Sequence, residues 1–129
     1  MSLRLRLVGG RHDLDTFFAL PYRKYAGHPF WVPPLRLDQR AILDRRRHPF
    51  YLKADAEFFL AERDGRVCGR VAAIHNHAHN EFHQDRTGFF GFLEMDAADT
   101  ARALLDGAAD WCARRGLAAI RGPANPSTN

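Results

Sequence analysis

The stretch from residue 56 to residue 75 constrains the fold more than any other. AEFFLAER (56–63) and RVCGRVAAIH (66–75) are two apolar runs separated only by Asp64-Gly65. An Asp-Gly pair accepts the positive φ that a type I′ turn needs, so the two runs read as an antiparallel hairpin. Val67, Val71 and Ala73 fall on one face of the returning strand, and Arg66 and Arg70 on the other. A hairpin alone is marginal in water, so other elements must extend and cover it.

The rest of the chain supplies them. Leu3, Leu5 and Leu7 alternate with Arg4 and Arg6, the period of a half-buried strand over 3–8. His12-Asp13 offers an N-cap, and Leu14, Phe17, Phe18 and Pro21 follow at helical spacing. Pro21 is expected to stop or kink that helix near Leu20. Residues 26–34, AGHPFWVPP, read as a stiff aromatic loop. Asp38 caps an expected second helix running to about Arg47, which Pro49 ends. Residues 76–87 read as polar loop. Residues 88–95, GFFGFLEM, read as a third strand of the meander, apolar enough to be buried on both faces. Ala101, Leu104, Leu105, Ala108, Ala109 and Cys112 make the apolar stripe of a helix over 97–115, with Asp96 as its N-cap and Gly116 as its stop. A short apolar strand follows at 117–121. The order is β-α-α-β-β-β-α-β. The last helix makes a βαβ crossover, so the final two strands are expected to be parallel. The fold class is α+β: one mixed, mostly antiparallel sheet with helices on both faces.

The chain has 129 residues, the length of a single domain. Apolar residues make up 46% and charged residues 26%, and no run approaches a membrane span, so no membrane partner is expected. Residues 1–10 lack the apolar block of a signal peptide, and Cys68 and Cys112 are not a CxxC pair. A reducing, cytoplasmic location is expected. Charge is uneven. Residues 1–53 carry 11 basic and 4 acidic groups, net 11 − 4 = +7, and residues 54–129 carry 8 and 11, net 8 − 11 = −3. The basic half suits an anion, a nucleic acid or the acidic half of the same chain. Arg40, Arg45, Arg46 and Arg47 with His48 form a basic helix end, which a solvated face also explains. No zinc finger, RNP aromatics or KH loop supports nucleic acid as a partner.

Phe59-Leu60-Ala61, Asp64-Gly65 and Val67-Cys68-Gly69 are similar to the β2–β3 hairpin of the GNAT-type N-acetyltransferase superfamily. Ala103-Leu104-Leu105-Asp106 through Trp111 to Arg115-Gly116-Leu117 looks like its central helix. Trp31-Val32-Pro33-Pro34-Leu35, His48-Pro49-Phe50, His79-Asn80-Glu81-Phe82-His83, Gly88-Phe89-Phe90-Gly91-Phe92 and Arg121-Gly122-Pro123 with Asn125-Pro126-Ser127-Thr128-Asn129 resemble a little-characterised family of longer bacterial GNAT-like proteins. The resemblance covers essentially the whole chain. It implies an N-terminal fragment, because the superfamily fold continues with another helix and two more strands. It implies acyl transfer from acetyl-CoA to a small-molecule amine: a base frees the amine, which attacks the thioester, and strand N–H groups steady the oxyanion.

The resemblance also assigns residues. Glu94 stands where the superfamily splays its fourth and fifth strands, and is the expected general base; a salt-bridge role is the structural alternative. Phe92, Leu93, Asp96, Ala97, Ala98 and Arg102 are the expected cofactor neighbours. The superfamily has a Gly-rich pyrophosphate loop at this junction, whereas Glu94 to Arg102 contains no glycine and adds Asp96 and Asp99. Acetyl-CoA is therefore expected to bind this chain weakly or not at all. The rivals are a non-catalytic module that binds a ligand or partner and, second, a nucleic-acid-binding domain. His75, His77 and His79 read as three imidazoles on one face of an extended strand, with His83 beyond. They sit at a loop mouth rather than converging, so no metal site is expected. Phe30, Trp31, Phe89, Phe90 and Phe92 suit a core or an apolar pocket.

Overall fold

The computed structural model describes residues 3–24, Gly27 and residues 43–124. One five-stranded sheet runs in the order β1-β2-β3-β4-β5. The strands are β1 Leu3–Leu7, β2 Ala54–Arg63, β3 Arg66–Asn76, β4 Thr87–Met95 and β5 Ala119–Arg121. Neighbours are antiparallel except β4 and β5, which are parallel, as the crossover demands. The turn between β2 and β3 has φ of 53° at Asp64 and 81° at Gly65, the two positive values a type I′ hairpin requires.

The side-chain period of two sends β2 and β3 to two separate cores. Phe58, Leu60, Ala72 and Ile74 pack against Phe17, Phe18 and Tyr22 of α1 (Gly10–Lys24). Phe59, Ala61, Val71 and Ala73 pack on the other face against Leu104 and Ala108. Those two residues belong to the crossover helix Ala98–Arg114. Its buried residues, Thr100, Leu104, Ala108 and Cys112, recur every four positions. Gly69 lets this helix approach. A Cβ there would lie 2.9 Å from side-chain atoms of Leu104 and Thr100 and from the Glu94 carbonyl oxygen. The β4 strand is less enclosed than its composition implies. Thr87, Gly88, Gly91 and Phe92 are buried, whereas Phe89, Phe90 and Leu93 to Met95 are only half-buried.

Four expectations change. Helix α1 begins at Gly10 rather than beyond His12, and it runs through Pro21 to Lys24. Asp13 accepts from the Gly9 N–H at 3.0 Å and pairs with Arg6 at 2.6 Å, so it ties the helix start to β1. The segment 76–87 is not all loop: His77–His83 is a short helix, α2, whose N-cap Asn76 accepts from the His79 N–H at 3.0 Å. The crossover helix is therefore α3, and its N-cap is Ala97, not Asp96. Lastly, residues 45–47 form a turn rather than the end of a helix, because the Asp44 carboxylate accepts from the N–H groups of Arg46 and Arg47. Leu43 is helical, while residues 38–42 of the expected 38–47 helix, Phe30 and Trp31 of the aromatic loop, and residues 125–129 lie outside the described residues.

Candidate functional site

Among the described residues, strands β4 and β5 are paired at Thr87↔Ala119, Gly88↔Ile120 and Phe89↔Arg121. Past Gly122-Pro123, the Ala124 N–H donates to the Phe90 carbonyl at 2.8 Å. Gly122 is needed for that approach, since a Cβ would lie 2.5 Å from the Phe90 carbonyl oxygen. Strand β4 continues to Met95. Beyond Phe90, Phe92 takes φ of 54°, an unfavourable value for a bulky side chain, and the β3–β4 register slips between Arg70 and Ala72. Strain of this kind persists only where the surroundings enforce it.

Packed against Phe92 is Arg70 of β3, only 5% exposed. Its guanidinium lies over the rings of Phe17 and Phe92, at 4.9 and 5.5 Å. It also donates to the Phe17 carbonyl at 2.7 Å. Glu94 is the cross-strand partner of Arg70, so both side chains leave the sheet on the α1 face. Glu94 is half-buried. It thus stands three residues beyond Gly91 and two beyond the Phe92 bulge, past the β4 residues that pair with β5 among the described residues.

The N-terminus of α3 lies directly past β4. Ala97 caps it with no side-chain hydrogen bond. The Asp99 carboxylate accepts from the Thr100 N–H at 2.9 Å, while Asp96 accepts from the Thr100 hydroxyl at 2.5 Å. Arg63, at the end of β2, reaches over both. It donates to Asp99 and to the Thr100 hydroxyl at 2.8 Å each, and its Nε is 3.7 Å from Asp96. The Arg63 hydrogen bond holds the Asp99 carboxyl below the usual carboxylate range. Sequence reasoning missed Arg63 and named Arg102, one turn along α3, among the cofactor neighbours. Arg102 is exposed, and the two carboxylates are met by Arg63 instead. The helix end is thus already an occupied anion site: a carboxylate of the chain sits on an early N–H, and the nearest cation is engaged. This donor set does not fit a diphosphate as it stands.

The histidines are not three on one strand face. They form two pairs. The rings of His75 and His77 are tilted against each other with centroids 4.0 Å apart, and those of His79 and His83 with centroids 4.5 Å apart, because the backbone turns into α2 after Asn76. Asp55 accepts from Arg115 at 2.6 Å and lies 2.9 Å from His77 Nε2; Arg115 also donates to His75 Nδ1 at 3.1 Å. A guanidinium therefore occupies the space between these groups. Among the described residues no group of three potential ligands could hold a metal ion. Arg45 is exposed but anchored: it donates to the Ala56 carbonyl at 2.9 Å and lies 4.8 Å above the Phe58 ring.

No family model matches the sequence. The chain is 34% identical over 119 residues to a bacterial ceramide synthase of Caulobacter vibrioides, covering 91% of this chain and 31% of that protein. It is 28% identical over 126 residues to Protein YghO of Escherichia coli, covering 97% of this chain and 32% of that one. The chain thus spans about a third of the length of the curated relatives it matches. Among solved structures, a tandem GNAT protein from the clavulanic acid biosynthesis pathway superposes with a TM-score of 0.66 at 17% identity, covering 88% of this chain and 34% of that one. A predicted acetyltransferase with acetyl-CoA from Clostridium acetobutylicum superposes with a TM-score of 0.64 at 12% identity, covering 96% of this chain and 82% of that one.

Proposed function

We propose that this chain, whose sheet and helices form the GNAT-type N-acetyltransferase fold, is part of a cytoplasmic N-acyltransferase that joins an acyl group to an amine. The observation that carries this reading is the parallel β4–β5 pair. Among the described residues it makes three residue pairs, a bulge at Phe92 follows on β4, and the α3 N-terminus lies past the end of β4. Glu94 would take the proton of the acceptor ammonium. The β4 backbone around Phe92 and Leu93 would polarise the acyl carbonyl. In this reading the acyl donor is a CoA thioester, which the acetyl-CoA named for the Clostridium acetobutylicum neighbour supports. Asp96, Ala97, Ala98 and Arg102 would lie along its path, and Asp96 and Asp99 oppose its diphosphate. No metal enters this chemistry. Ceramide formation is itself amide formation on a long-chain amine, and the 34% identity to a bacterial ceramide synthase supports an acceptor of that class. The reading takes residues 1–129 as one GNAT-like domain of a longer protein, supported by the third of each curated relative that it spans.

Thiol release from acyl-CoA in the presence of long-chain amines tests the proposal. In the full-length protein, Glu94→Gln should lower kcat by about 100-fold or more with unchanged circular dichroism. An unchanged rate would remove Glu94 from the base role. A non-catalytic, ligand-binding module is the second reading. It is favoured by the Asp99 carboxylate and Arg63 at the α3 N-terminus, and absence of thiol release with every amine would select it.

A further inference from the structure

We propose that the rim of the sheet farthest from the α3 N-terminus docks on the surface of an anionic lipid bilayer. Leu52 and Phe82 are 85% and 83% exposed, and only Leu7 joins them among the large exposed apolar residues described. Both lie at the same rim. Leu52 ends the 3-10 turn Pro49–Leu52 just before β2, and Phe82 is on α2 just after β3. Ala54 pairs with Asn76 across the start of β2 and the end of β3. The His77 N–H donates to the Lys53 carbonyl at 2.9 Å, which sets the turn and the helix side by side. On α2, His77, Ala78, Glu81 and Phe82 are exposed, while His79 and Asn80 are partly covered.

Exposed cations lie close to Leu52 along the chain. Arg46, Arg47 and Lys53 are exposed, and none has an ion pair among the described residues. Several acids near this rim are already engaged: Glu57 with Arg45, Asp55 with Arg115 and His77, and Asp85 with Thr87 and the Arg86 N–H. Asp44 holds the backbone of the basic turn, and Glu81 is the exposed carboxylate of α2. An acidic macromolecule would satisfy the arginines and the lysine but would leave Leu52 and Phe82 in water. A bilayer accepts both sets, with the apolar tips below the headgroups and the cations at phosphate level. The expectation of no membrane partner rested on the lack of a spanning segment. Among the described residues no helix is long and apolar enough to cross, and docking on the surface requires none. The proposal deepens the acyl-transfer reading, because long-chain amines dissolve in bilayers, but lipid contact does not depend on catalysis.

Sedimentation with vesicles tests it, using phosphatidylcholine alone and phosphatidylcholine with about one-third phosphatidylglycerol. The protein should pellet with the anionic vesicles. Leu52→Ser with Phe82→Ser should lower partitioning about tenfold, and so should Arg46→Gln with Arg47→Gln and Lys53→Gln. Leu7→Ser, at the exposed apolar position on β1, should change nothing. All of these positions are exposed, and circular dichroism verifies folding. Failure to pellet with anionic vesicles overturns the proposal. So does undiminished pelleting of the Leu52/Phe82 variant, equal loss in Leu7→Ser, or a wild-type dimer that this variant dissolves. Thiol release with a water-soluble amine reads the β4 site separately, so either reading can fail alone.

Discussion

At Pro21 the sequence sets a problem that Arg70 solves. A proline inside a helix has no N–H for the carbonyl four residues back, which here is Phe17. The Arg70 guanidinium donates to that same oxygen at 2.7 Å, so the buried acceptor is satisfied and α1 continues to Lys24. Arg70→Met should cost about 2–4 kcal/mol in urea denaturation, since a buried acceptor left unpaired costs about 1–3 kcal/mol before the ring contacts are counted. Pro21→Ala supplies an N–H at position 21. It should recover about 1 kcal/mol more in the Arg70→Met background than in the wild type. Equal effects in both backgrounds would mean that the Phe17 carbonyl is not the shared partner. Pro21 was legible as a break, but its repair was not, because the donor is 53 positions from the carbonyl it serves. Glu94 was reached through a family resemblance. Arg63 and Arg70 were not found, since a lone arginine in or after an apolar run carries no periodic signal.

The elements legible in the sequence are those with a long period or a strict turn. The Asp64-Gly65 hairpin, the α3 stripe and its stop at Gly116 (φ 80°) belong to that group. Helix α2 was hidden because its seven residues have no apolar stripe; side-chain capping by Asn76 and a bond to the Lys53 carbonyl hold its start. The start of α3 differs by one residue from the expected one, with Ala97 as its cap between the carboxylates of Asp96 and Asp99. Acetyl-CoA should accordingly show no micromolar binding to the 129-residue chain in titration calorimetry at low salt. An end charge of this kind is worth about 0.3–1 kcal/mol, and the loop lacks the glycines that let backbone approach phosphate. Binding that appears in Asp96→Gly with Asp99→Gly would mark a cleft blocked by its own side chains. Micromolar binding by the wild type would sink this prediction.

Across the whole molecule, ion pairs stitch the periphery of a sheet whose two faces are both buried. Hydrogen bonds from Arg6 hold Asp13 and Glu62 below the usual carboxylate range, His77 and then Arg115 do so for Asp55, and Arg63 for Asp99. Burial, followed by the nearby His77 and Arg115, pushes His75 below 6.5. In each case the folded state binds fewer protons than the unfolded one, so stability is full above the unfolded value and falls as pH drops. Thermal melts should show a shallow decline beginning below about pH 6.5 and a steeper one below about pH 4. His75→Asn should remove the upper decline only; its persistence would assign that step to another histidine. The strand order has a different consequence. Each strand lies beside the one that precedes it in the chain, from β1 to β5. A chain emerging from the ribosome can therefore add every new strand to an edge already made, and none has to be inserted between two finished neighbours. For these five strands, the order of the sheet is also the order of translation.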